Sequence, residues 1–168
     1  MHIEKSVQIR APVEEVWSHF YDWDNVWRFQ PWVVRSPLLT NVENGVGASR
    51  RCEFSDGTSL VETITKVVPG KRVEFALSEA AKPMVGGTGS ISVMSRSSGI
   101  TVVTVVMDIK LGLGLLNPVM GLMMKPMMRN RIKKMVESLE HYILTGQKLD
   151  PKGNKLVVPA EMPQAEAT

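Results

Sequence analysis

The sequence predicts an α+β domain, and three observations carry that reading. A lone alternating strand opens the chain, six glycine-punctuated strand patterns fill its middle, and one long amphipathic helix follows them. Strands joined by hairpins make a sheet with one face to bury, and only the last helix is long enough to cover it.

The elements follow in order. Residues 2–10 alternate, with Ile3, Val7 and Ile9 on one side and Glu4, Gln8 and Arg10 on the other, as a half-buried strand requires. Next comes "APVEEVWSHF". Pro12 suits a helix start, Glu14 and Glu15 sit where the helix dipole favours them, and Val13, Val16, Trp17 and Phe20 recur at helical spacing. A second short helix is expected in "YDWDNVWRFQPW", with Asp22 or Asp24 as its cap and Pro31 as its stop. From Val33 to Leu111 the runs rich in Val, Ile, Thr and Phe are broken at Gly45, Gly47, Gly57, Gly70, Gly86, Gly87 and Gly99, which suits consecutive hairpins. The last run, "ITVVTVVMDIKL", places Val103, Val105, Met107, Ile109 and Leu111 on its inner face.

The long helix should enter at Asn117-Pro118 and stop at Gly146, a length of about 40 Å. Met124, Ile132, Met135, Leu139 and Tyr142 lie within roughly 40° of Met128 at 100° per residue, and this is its buried face. Residues 1–146 then form a single domain. Residues 147–168 show no period and contain three of the ten prolines, so a disordered tail is expected.

The sequence resembles the START-like or SRPBCC superfamily, which includes polyketide cyclase/dehydrase and lipid-transport proteins. The resemblance rests on "IRAPVEEVWSHFYDWDNVWRFQPWV", on "GVGASRRCEF" followed by "ETITKVVPGKRVEFAL", and on the helix after "MDIKLGLGLLNPVMG". It implies a helix-grip fold, a curved antiparallel sheet of about seven strands wrapped around the C-terminal helix, with a hydrophobic cavity between them.

Composition narrows the classes of function. The net charge of +3 is too mild to argue for nucleic acid. Cys52 is the only cysteine, which rules out an internal disulfide or a cysteine-rich zinc site and suits a reducing compartment. No apolar run follows the N-terminal charges, so the chain is expected to be cytoplasmic. The apolar stretch from Leu111 contains Asn117, Lys125 and two prolines, which argues against stable membrane insertion. Three scattered histidines offer no standard metal spacing, and no cofactor motif is present.

The most specific polar inference lies in "SRRCEFSDGTSLVETI". A three-residue loop at Ser55, Asp56 and Gly57 would pair Phe54 with Thr58, Cys52 with Leu60 and Arg50 with Glu62. Arg50 and Glu62 then share a face with Phe54, Leu60 and Ile64, and an inner location would put an ion pair at the cavity. A shift by one residue would instead set Arg51 opposite Glu62 and leave an exposed pair of little value.

The candidate ligand-lining set combines these strands with Trp27, Trp32, Phe75, Val103, Val105 and Met107 and with the helix residues Met120, Met124, Met127, Met128, Ile132 and Met135. Pro126 removes one helical hydrogen bond among these methionines, so their flexible thioethers would form an adaptable apolar wall. Core packing is the simpler role for Met128 and Met135 and for the tryptophans.

Three functions stay open. The leading one is binding or transport of a small hydrophobic molecule such as a lipid, polyketide or isoprenoid. The second is a cyclase or dehydratase in which Arg50 polarises a carbonyl, Glu62 acts as acid or base and Tyr142 donates a proton. The third is a protein-interaction module of the chaperone-activator type.

Overall fold

The computed structural model describes residues 1–164. Seven strands form one antiparallel sheet: β1 (His2–Ile9), β2 (Val33–Arg35), β3 (Ser49–Phe54), β4 (Ser59–Val68), β5 (Arg72–Ser78), β6 (Met84–Ser97) and β7 (Ile100–Leu111). Their order across the sheet is β1-β7-β6-β5-β4-β3-β2, so each strand after β2 pairs with its predecessor and β1 closes onto β7. The sheet is curled into a half-barrel around the last helix, and the architecture is helix-grip. Register shifts in β4, at Ile64/Lys66, and at both ends of β6 add the local bends from which such curvature is made.

Helix α1 (Val13–Tyr21) begins after Pro12, carries Glu14 and Glu15 in its first turn and buries Val16 and Phe20. The second expected helix is a single 3-10 turn, Val26–Arg28. Neither Asp22 nor Asp24 caps it: Asn25 precedes the turn without a side-chain cap, and its amide donates to both carboxylates. The stretch before Pro31 is too short for regular α-helix.

Helix α2 (Asn117–Thr145) runs unbroken through Pro126 and ends at Gly146, whose left-handed backbone lets its N–H reach the Tyr142 carbonyl. Asn117 is inside the first turn, and its side chain ties down the approach instead of capping: Oδ1 accepts from the Leu113 N–H and Nδ2 donates to the Leu111 carbonyl. Ile132, Val136 and Leu139 join the main core with Ile3, Val16, Trp23 and Val103.

Residues 147–164 depart from the expected tail. Strands β8 (Gln147–Leu149) and β9 (Lys155–Val157) form a hairpin against α2. The Leu149 N–H donates to the Ser138 hydroxyl, Lys134 donates to the Pro151 carbonyl, and Lys148 donates to the carbonyls of Trp27 and Val33. Polar anchors on the helix and the 3-10 turn hold this segment, and these have no hydrophobic period to reveal them. The end of the expected tail, residues 165–168, lies outside the described residues.

Candidate functional site

A cavity of about 360 Å³ lies between the concave sheet and α2. Its sheet wall comes from alternate positions of β3 to β7, including Phe54, Leu60, Phe75, Ile91, Val105 and Met107. Its helix wall is Met124, Met127, Met128, Ile132 and Met135. Trp32, Val33, Phe29 and Val26 close the end nearest the 3-10 turn. Gly89 makes room for this arrangement, since a Cβ there would collide with the Phe75 ring.

The hairpin that joins β3 to β4 sets the polar pole. Gly57 has φ +81° and its N–H bonds the Phe54 carbonyl, while the Phe54 N–H bonds the Thr58 carbonyl. Cys52 therefore pairs with Leu60 and Arg50 with Glu62, the expected register. Both charged side chains point inward, with exposures of 6% and 14%. Arg50 Nε donates to Glu62 Oε2 at 2.8 Å, Nη2 approaches the same oxygen at 2.5 Å, and Nη1 donates to the Trp23 carbonyl at 2.7 Å. The guanidinium carbon also lies 3.7 Å from the centre of the Trp23 ring. Burial, the largest single influence, lowers the Arg50 pKa, but the Glu62 carboxylate and the Cys52 sulfur together outweigh it, so the net shift is upward and the cation stays charged.

Glu62 is less fully engaged. Its Oε2 takes both Arg50 contacts and a long one from the Cys52 thiol at 3.5 Å, while among the described residues its Oε1 has no hydrogen-bond partner. Burial, reinforced by the Glu62 charge, pushes the Cys52 thiol far above its ordinary range. In the folded protein the neutral thiol is therefore favoured over the nucleophilic thiolate.

Several lining groups were not singled out by sequence. His19 reaches the cavity from the end of α1, packed edge-on against Phe29 and Tyr142 with ring centres 6.4 and 5.5 Å away. Burial lowers its pKa, against opposing pulls from Glu15 and Asp22, and so favours the neutral imidazole. Arg131 stacks 5.2 Å from the Trp32 ring, and Asp56 is held below the usual carboxylate range mainly by hydrogen bonds from Thr58. A helical wheel places His19 off the buried line, and only its contacts with the Phe29 and Tyr142 rings show where it points.

Four expected lining residues are elsewhere. Trp27 is buried beneath the Arg28 guanidinium, 4.9 Å from its ring, and anchors the 3-10 turn. Ile64 and Val103 have the inward parity of their strands but are sealed in the core beyond the cavity. Met120 is half-buried outside the lining, because it lies too far round the helix. Tyr142 also stands outside it, behind His19. Among the described residues no group of His, Cys, Asp or Glu could hold a metal ion, and no helix is long and apolar enough to cross a membrane.

No curated protein matches the chain in sequence. Solved structures match it in shape. An uncharacterized protein from Bacillus thuringiensis superposes with a TM-score of 0.69 at 16% identity, covering 86% of this chain and 99% of that one. A START superfamily protein from Mycobacterium smegmatis gives 0.61 at 14% identity, covering 84% and 93%. The di-domain ARO/CYC BexL of the BE-7585A biosynthetic pathway gives 0.67 at 15% identity, covering 86% of this chain and 46% of that one. At such identities the likeness is one of fold. The sequence itself carries the assignment, because the family model described as "Polyketide cyclase / dehydrase and lipid transport" matches residues 1–143, and the chain belongs to that family.

Proposed function

We propose that the protein binds a small hydrophobic molecule in the cavity between the sheet and α2. The observation that carries this reading is the lining itself: a largely apolar cavity of about 360 Å³ with one wall of flexible methionines, the Arg50–Glu62 pair on its sheet side, and His19, Asp56 and Arg131 as further polar groups. The pole favours a neutral guest. Arg50 is taken up by Glu62 and Trp23, whereas Glu62 Oε1 is free to accept a hydrogen bond from a ligand hydroxyl.

The same oxygen favours a second reading, a cyclase or dehydratase in which Glu62 moves a proton. Tyr142 has no part in it, since it stands behind His19. A neutral His19 would be the other proton-transfer group in the cavity wall.

Native mass spectrometry of the purified protein, followed by titration with a lipophilic fluorescent probe, tests the binding reading. A bound apolar molecule, or saturable probe uptake, is expected; protein that is empty and takes up no probe rejects it. Variants divide the two readings. Glu62→Gln should cost about 2–3 kcal/mol, less than for a fully enclosed pair because Arg50 keeps its Trp23 contacts. The double change Arg50→Met with Glu62→Leu should fold within about 1 kcal/mol of the parent and still take up the probe. For an enzyme, Glu62→Gln would instead abolish turnover in protein that remains folded.

A further inference from the structure

The first half of α2 is apolar on two opposite sides. Its inner side, Met124 and Met128, lines the cavity. Its outer side faces water: Val119, Leu122 and Met123 lie within about 60° of one another's mean direction at 100° per residue, and Leu122 is 75% exposed. The 3-10 turn before the helix extends this surface with Leu116 and with Leu115, which is 98% exposed. A helix that is apolar all round and yet uncovered on one side lacks its natural surroundings.

Charge says what those surroundings are. Between Asp108 and Glu137 the chain has no acidic residue, but it holds Lys110, Lys125, Arg129, Arg131, Lys133 and Lys134. These six cations exceed the net charge of the whole chain, +3, so the remainder is net negative. Three of them are engaged elsewhere, Arg131 on the Trp32 ring, Lys133 with Glu137 and Lys134 with the Pro151 carbonyl, while Lys110 and Lys125 flank Leu122 and Arg129 follows one turn on, so three cations without an acidic neighbour in the sequence adjoin this surface. A two-fold contact with a second copy through this face would press the cations against one another. A surface of anionic headgroups over hydrocarbon matches both features together. The surface is also continuous with the cavity, because Met127 both lines the cavity and is half exposed.

We propose that the first half of α2, with the turn before it, is a reversible docking surface for an anionic lipid bilayer, and that the apolar ligand passes between bilayer and cavity beside Met127. The passage rests on the ligand-binding reading above, whereas the docking does not. Leu115, Leu116 and Leu122 enter the headgroup boundary and Lys110, Lys125 and Arg129 hold the anionic surface, with no helix spanning it.

The test uses the full chain and two kinds of vesicle, phosphatidylcholine alone and phosphatidylcholine mixed equally with phosphatidylglycerol, in flotation at low and high salt. Retention is expected on the mixed vesicles, at least about tenfold weaker on neutral ones, and reduced by salt. The pair Leu116→Ser and Leu122→Ser should lower retention by at least about tenfold. Uptake of the lipophilic probe from solution should be unchanged, since neither side chain lines the cavity. Lys125→Glu with Arg129→Glu should erase the preference for anionic vesicles. Absence of retention on the mixed vesicles overturns the proposal, as does equal retention of the serine variant. A serine variant that converts a dimer to a monomer in size-exclusion, with no lipid retention by either protein, assigns the face to a second copy and also overturns it. Retention that follows this pattern in a protein that takes up no probe supports docking and rejects the ligand reading alone.

Discussion

Ile132, Val136 and Leu139, in the second half of α2, are buried, whereas Val119, Leu122 and Met123, in its first half, face water with side chains just as apolar. One helix thus serves two purposes. Its second half is covered on one side by the core and braced by the β8-β9 hairpin, which reaches Lys134 and Ser138. Its first half has a cavity on one side and no cover on the other, and it begins with neither a side-chain cap nor an acidic first turn. The contrast is partly one of face: Val119, Leu122 and Met123 point away from the sheet and nothing covers them, while the sheet-facing side of the same half meets a cavity where the second half meets core. A well-packed half can hold a loosely packed half in place, as a post holds a gate.

Paired truncations should expose this contrast most strongly. Leu139→Ala removes a fully buried side chain and should cost about 2–5 kcal/mol, while Leu122→Ala should change stability by less than about 0.5 kcal/mol. Comparable losses in urea unfolding would mean that the outer face of the first half is covered rather than open to water. A smaller effect is expected from ending the chain at Gly146. That removes the partners of Ser138 and Lys134 and the Lys148 links to Trp27 and Val33, for a loss of about 1–3 kcal/mol and a fall of roughly 3–10 °C in Tm. An unchanged Tm would show that the second half needs no brace.

The smallest effect concerns pH. His19 has a lowered folded pKa, so the unfolded chain binds its proton first as pH falls. Its contribution to stability is intact above the ordinary imidazole value of about 6.5 and is lost as pH drops from there toward the lower folded value, with a slope below about 1.4 kcal/mol per pH unit. His19→Gln should flatten that part of the stability curve. An identical acid slope in the variant would place the titration elsewhere.

Much of this was legible in the sequence, for identifiable physical reasons. Gly57 admits the turn that fixes the β3-β4 register, and the two-residue period of a strand then carries Arg50 and Glu62 to the inner face. Helical phase picked out Met124, Met128 and Met135 of the methionine wall; Met127 and Met120 were added for the bend expected at Pro126, and of these two only Met127 lines the cavity. Depth was harder to read than direction. Ile64 and Val103 have the right parity, but parity does not say where along a strand the cavity gives way to core. Trp27 was obscured by the collapse of its helix into one 3-10 turn, and His19 because its neighbours come from α2, far along the chain. The β8-β9 hairpin was hidden because its ties are single hydrogen bonds from backbone and lysine rather than a patterned apolar face.

The position of Cys52 has one further consequence. Its thiol is in the cavity wall, touches a carboxylate and is kept un-ionised by burial, so it cannot attack a neighbour as a thiolate would. A guest with an electrophilic carbon, such as an enone or a quinone, could lie against this wall without being captured covalently. The chain's single sulfhydryl regains its ordinary acidity only on leaving this wall, so labelling of Cys52 by a thiol reagent would report opening of the sheet.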